Sequence, residues 1–177
     1  MRYLYILGIL LGLYSCAEKQ NFDQYEDLNV TPTIEGSILY VEVPEYLINA
    51  SQSYYFYTRE FNFDAFNEDF FAERVLSGVV TYEVVNTTSK PMELVAEFLD
   101  GNGTILDTES FSIEAAPAPI FRREITYGPA GRSIEIIKNM SSIRVSAQNL
   151  GDDTSVSTIP DPKVIVRSSG AFVIEVR

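Results

Sequence analysis

The residues in this chain whose types and spacing could support chemistry are few, and nearly all are carboxylates. Glu68, Asp69 and Glu73 lie close together, and Asp152 and Asp153 are adjacent. Paired carboxyls are what glycoside hydrolysis requires, one as acid and one as base or nucleophile, held ~5–9.5 Å apart across a sugar. Both groups here read better as solvated acidic loops. Asp100, Asn102 and Asp107 begin like a calcium loop, but Thr104 and Ile105 stand where an acid or amide and a glycine are needed. Asp100-Gly101-Asn102-Gly103 reads instead as a tight hairpin turn. The same glycines do not make a phosphate loop, since no third glycine and no helix follow them.

What is missing limits the chemistry further. The chain has no histidine, the commonest general base, pH switch and metal ligand. Cys16 is its only cysteine, so an intrachain disulfide or a thiolate metal cluster cannot form. The sequence therefore predicts no cofactor, no metal site and no catalytic residues, and the protein is expected not to be an enzyme. With 13 Lys+Arg against 25 Asp+Glu and a net charge of −12, its surface would repel a polyanion, so nucleic acid is not an expected partner.

The N-terminal segment carries an address. Met1-Arg2 supplies one positive charge, and the apolar run from Leu4 to Leu13 has the length of a signal-peptide core. It is too short to cross a bilayer core of ~30 Å. Leu13-Tyr14-Ser15-Cys16 follows and resembles the lipobox of bacterial lipoproteins. That resemblance implies cleavage after residue 15, acylation of Cys16 with fatty acyl chains such as palmitate, and anchoring to a membrane. Ala17 lacks the Asp that often marks inner-membrane retention in such lipoproteins, which implies the outer membrane, on its periplasmic or cell-surface face. An ordinary secretory leader, with Ser15 and Ala17 as small residues near the cut, is the rival reading. Residues 16–33 are polar and acidic without helical or strand periodicity and read as a tether, ~55–60 Å if extended and roughly 20–25 Å as a coil.

From Ile34 to Arg177 short β-patterned runs alternate with turn signals. Val80, Tyr82 and Val84 share one face, as do Met92, Leu94, Ala96 and Phe98, then Ile143, Val145 and Ala147, then Phe172, Ile174 and Val176. Between Leu106 and Phe111 the alternation shifts phase, which predicts a bulge. Tyr54 to Phe63 alternates as a further strand. Ser133 is placed to cap a turn carrying Ile134, Ile137 and Met140, and residues 66–75 hold a second helical pattern. About eight strands with hairpin chemistry predict one all-β domain over residues 34–177: an antiparallel β-sandwich, immunoglobulin-like in the broad sense, with one or two short helical turns.

The stretch GVVTYEVVNTTSKPMELVAEFLDGNGTILDTESFSI, residues 78–113, is similar to the central hairpins of small bacterial immunoglobulin-like domains, including the FxLYD type. Together with the lipobox, the chain resembles the small lipoproteins common in Bacteroidota. Neither resemblance implies an activity.

One residue set still demands explanation. Nine aromatic residues crowd between Tyr54 and Phe71, interleaved at the end with Glu68, Asp69 and Glu73. A strand sends alternate side chains to opposite faces, so one face of one strand cannot bury them all. Tyr55, Phe56, Tyr57, Phe66, Phe70 and Phe71 are therefore the candidate partner-binding residues. The expected function is that of a non-enzymatic outer-membrane lipoprotein, a structural or accessory subunit binding an outer-membrane or periplasmic protein. The alternative is a carbohydrate-binding surface lipoprotein with the tyrosines as a stacking platform, against which the absence of tryptophan weighs.

The lipobox yields a direct prediction. Cells grown with labelled palmitate should incorporate the label into the wild-type chain and not into Cys16→Ala, which should accumulate uncleaved or soluble. A wild-type chain that never takes up label would refute the anchor.

Overall fold

The computed structural model describes residues 30–62 and 69–176. Cys16, the leader and most of the tether lie outside the described residues, as do Phe63, Phe66 and Glu68. Eight strands are present: β1 (Thr33–Pro44), β2 (Tyr57–Asn62), β3 (Val75–Asn86), β4 (Met92–Leu99), β5 (Ile105–Ile113), β6 (Phe121–Tyr127), β7 (Ser142–Asn149) and β8 (Lys163–Ile174). Three short helices join them among the described residues: α1 (Glu45–Ala50), α2 (Asp69–Arg74) and α3 (Ile134–Asn139). Ser133 does cap α3, its hydroxyl accepting from the Glu135 N–H.

The strands form two antiparallel four-stranded sheets, in the orders β1-β8-β3-β6 and β2-β7-β4-β5. The antiparallel β-sandwich expected from the sequence is thus what the chain forms. Its pairing is nested: first with last, second with seventh, third with sixth, fourth with fifth. This is a long double ribbon, closed at its tip by the β4–β5 hairpin and rolled up, the strand arrangement of a jelly roll. It differs from the ABED and CFG sheets of an immunoglobulin domain. The resemblance at residues 78–113 did not distinguish the two, because its tight β4–β5 hairpin occurs in many antiparallel folds while the crossovers between sheets set the order.

Each inner face follows the alternation read from the sequence. Val80, Tyr82 and Val84 face Met92, Leu94, Ala96 and Phe98, with Ile143 and Val145 beside them, in one hydrophobic core. The predicted bulge is at Leu106, where the register passes from Phe98↔Asp107 to Leu99↔Ile105. A second lies at Ile38 on edge strand β1; bulges and charged side chains on edges disfavour further strand pairing. Residues at the end of the expected tether belong to the sandwich. Val30 and Val176 form a bridge, and the Ile174 N–H donates to the Pro32 carbonyl (3.0 Å). They pair because the chain's last strand would otherwise expose its backbone groups.

Phe172 shows how tightly the β3–β8 seam is built. It sits opposite Gly78 across the ladder. A methyl group at Gly78 or at Gly170 would come within 2.3 Å of its ring. Both glycines therefore make room for one aromatic side chain that fills the space between the sheets. Phe71 closes over it edge-on, with centroids 5.5 Å apart.

Phe172→Ala should cost ~3–5 kcal/mol of stability in urea unfolding, the cost of a cavity in a rigid core. Gly78→Ala should cost ~1–3 kcal/mol by overpacking. In the double variant most of the second cost should vanish, since the added methyl then fills the emptied space. Additive costs would show that Phe172 and Gly78 do not share that space.

Candidate functional site

The nested topology sorts every connection to one of two poles. The chain enters at the pole that holds Val30, the start of β1 and Val176. The opposite pole, called the far pole here, gathers four segments: 45–56, 87–91, 114–120 and 150–162. β1 is twelve residues long, so the poles lie roughly 40 Å apart.

The far pole is organised around two charged side chains that are buried, Lys90 (0% exposed) and Glu45 (2%). The Lys90 ammonium donates to Asp152 Oδ1 at 2.9 Å, to the Ser155 carbonyl at 2.8 Å and to Ser155 Oγ at 2.7 Å. All three of its protons therefore have acceptors. Glu45 Oε1 accepts from both the backbone N–H and the hydroxyl of Ser89, and Oε2 from the Ser157 N–H at 2.9 Å. Buried Asn86 extends the network, donating to the carbonyls of Lys90 and Glu114 while accepting from Thr88. Asn49 on α1 donates to the Ser155 carbonyl (3.1 Å). All four segments are thus tied together by hydrogen bonds that water cannot easily replace.

On this support stand apolar side chains that solvent reaches. Tyr46 and Leu47 project from α1, Tyr54 and Tyr55 from the approach to β2, Ile120 from the third segment, and Leu150, Val156 and Ile159 from the fourth. They are eight of the fifteen exposed large hydrophobic residues among those described. Tyr54 and Tyr55 meet edge to face, 4.8 Å apart at 87°, which does not lay their rings side by side as one flat platform.

The expected aromatic patch is therefore divided. Tyr55 is exposed, but Phe56 and Tyr57 pack against the core. Phe70 is exposed with the Arg74 guanidinium over its ring at 4.4 Å, while Phe71 packs inward. β2 runs between the two groups, so Tyr55 belongs to the far pole and Phe70 to the entry pole. Six residues of strand, roughly 20 Å, keep them from one surface.

Three of the acids singled out in the sequence hold structure together. Asp152 holds Lys90, and Asp100 accepts from the N–H groups of Asn102 and Thr104 in the hairpin turn. Asp107 accepts from Tyr127 Oη (2.9 Å) and Arg132 (2.6 Å), and Glu109 also pairs with Arg132. Burial and these acids push the Tyr82 and Tyr127 hydroxyls well above the usual phenol range. Among the described residues no group of three or more acids, cysteines or histidines is placed to hold a metal. An open groove of about 540 Å³ crosses the outer face of β1-β8-β3-β6, over Val79, Thr81, Ser169 and Ala171 between Glu35 and Arg122. No aromatic ring lines it.

Lys90 and Glu45 gave no signal in the sequence, because a charged residue next to a turn proline, here Pro91 and Pro44, reads as solvated. Neither a protein-family model nor a curated protein matches the sequence. Solved structures that it matches include the VP2 subviral particle of infectious bursal disease virus, at 10% identity over 85% of this chain and 33% of that one, with a TM-score of 0.35. Turnip yellow mosaic virus at 100 K matches at 9% identity over 84% and 93%, with a TM-score of 0.39. The enzymatically active domain of bacteriophage CBA120 tailspike protein 4 matches at 10% identity over 81% and 18%, with a TM-score of 0.36. The chain spans a third or less of the VP2 and tailspike chains.

The network makes stability depend on pH. Burial pushes the Glu45 carboxyl up, but the Ser157 N–H, the two Ser89 donors and the Lys90 charge together hold it below its ordinary value. Asp152 is held well below the carboxylate range by the Ser155 N–H, by Lys90 and by the Thr154 N–H. Both folded values lie below the unfolded ones, so the stabilisation is complete above the unfolded values of about 4 and is lost as pH falls below them. Urea midpoints should drop on going from pH 5 to pH 3. Glu45→Gln should lower the midpoint at pH 7 and make the acid fall shallower; an equally steep fall would remove Glu45 from the account.

Proposed function

We propose that this protein is a non-enzymatic, lipid-anchored accessory subunit that binds a protein partner through its far pole. The observation that carries the reading is a grouping of exposed apolar residues. Eight of the fifteen among those described stand on three loops at the pole opposite the chain's entry, and those loops are held by a buried polar network. Isolated surface hydrophobes need no explanation, but a group on one face marks an interaction site. Pre-ordered loops lose little entropy on binding, which favours affinity.

The lipobox supplies the other half. Acylation at Cys16 would tether the domain to a membrane through the stretch of chain that precedes β1. Two or more acyl chains are needed for durable anchoring, at ~0.8 kcal/mol per buried CH₂. An outer-membrane location follows from the lipobox and Ala17, and an outer-membrane or periplasmic protein is the partner such a location offers.

The division of the aromatic cluster makes the proposal testable. Tyr54→Ala and Tyr55→Ala should keep the wild-type melting temperature yet weaken binding of the protein that co-purifies in mild detergent by roughly 30-fold, about 2 kcal/mol. Phe56→Ala and Tyr57→Ala should instead lower the melting temperature, since both pack on the core. Retention of the partner by both tyrosine variants, or the lack of any stoichiometric partner, would sink the proposal.

A further inference from the structure

We infer that the far pole docks a protein surface whose apolar centre is bordered by lysine and arginine. The inference rests on the protein-binding reading above and adds the chemistry of the partner. The charged side chains that solvent reaches on the far-pole loops are all carboxylates: Glu114, Asp152, Asp153 and Asp161. The lysine of those loops, Lys90, is turned inward and buried. Lys163, at the start of β8, is held between Glu42 (2.9 Å) and Asp161 (2.8 Å).

The far-pole loops thus present Tyr, Leu, Val and Ile side chains among acids, with Glu114 and Asp153 unpaired by lysine, and the first exposed cations beyond them are Arg122 and Arg123 on β6. A partner with an acidic border would meet like charges there, which costs several kcal/mol in an interface. A basic border would be drawn in and oriented by the same field. The rest of the sandwich does not share this arrangement. On the outer sheet face Arg167 pairs with Glu83 and Arg122 with Glu124, so cations and acids are interspersed.

The experiment uses the full lipidated chain in its native membranes. A zero-length carbodiimide, which joins carboxylates to amines in direct contact, should link Glu114 or Asp153 to lysines of the protein that requires Tyr54 and Tyr55 for co-purification. Glu114→Lys and Asp153→Lys, both at exposed positions, should leave the melting temperature unchanged. Each should weaken that protein's binding about three- to tenfold at low ionic strength, with the loss shrinking at ~0.5 M salt as the charges are screened. Asp152 is left intact because it holds Lys90. If the reversals bind equally or more tightly, or no lysine cross-link forms while Tyr54→Ala still loses the partner, the basic-border inference fails and the protein-binding reading stands. If Tyr54→Ala and Tyr55→Ala retain the partner, both fail together.

Discussion

A lysine ammonium withdrawn from water is the constraint to which the far pole conforms. Moving such a charge into a protein interior costs several kcal/mol unless its protons are all accepted and its charge is countered. Lys90 has three acceptors, one of them the Asp152 carboxylate, and Glu45 adds a second negative charge nearby. Each acceptor comes from a segment that would otherwise be a surface loop. Residues 150–162 curl so that Ser155 offers both its carbonyl and its hydroxyl to one amine. α1 is docked at its first residue by Glu45 and at Asn49 by the Ser155 carbonyl. An apolar residue at position 90 would leave Asp152 and Ser155 without their donor and would untie the 150–162 loop from 87–91.

The nested strand order explains why such a device is needed. In a rolled double ribbon almost every connection crosses from one sheet to the other, and only β4–β5 turns back within its own sheet. Crossing connections span the thickness of the core, ~10 Å, and are longer and less regular than hairpin turns. Of the three longest of those wholly described, 128–141 is ordered by α3 within it, and the far pole carries the other two, 45–56 and 150–162. Without fixed partners their backbone groups would be satisfied by water and their conformations would multiply. The polar network substitutes for the regular hydrogen bonding that strands give one another.

Periodicity made the strands legible and left the topology hidden. Val80, Tyr82 and Val84 announce a face because their neighbours are polar, and the phase shift at Leu106 announces a bulge for the same reason. Nothing in those patterns says that the first strand pairs with the last. β8 was legible only in its final part, since its buried face also carries Ser168 and Gly170, which do not read as core. Gly170 is required there by the Phe172 ring, a relation between two side chains that no single position reveals. The aromatic cluster misled in the opposite way. Closeness in sequence suggested one patch, but a strand inside the cluster carries its two halves to opposite poles. Lys90 and Glu45 were invisible because their types argue for solvent, and only tertiary partners overturn that argument.

Composition takes on a different meaning once the pairing is known. A net charge of −12 reads at first as a uniformly acidic, soluble surface. The structure shows where the positive charge goes: Lys90, Arg122, Arg132, Arg144, Lys163 and Arg167 each rest on a carboxylate of the same domain. Internal pairing consumes cations that are already the scarcer species, so the field outside the protein is set by the acids left over. Where an acid closes a loop, as Asp100 does through the N–H groups of its turn, its charge is partly met by backbone dipoles. Glu114 and Asp153 project into solvent beside exposed apolar side chains. Charge left there opposes self-association of the apolar pole, because like-charged poles repel one another. In the proposed complex the same charge would orient a partner of opposite sign, so a single arrangement would serve both ends with residues that folding did not use.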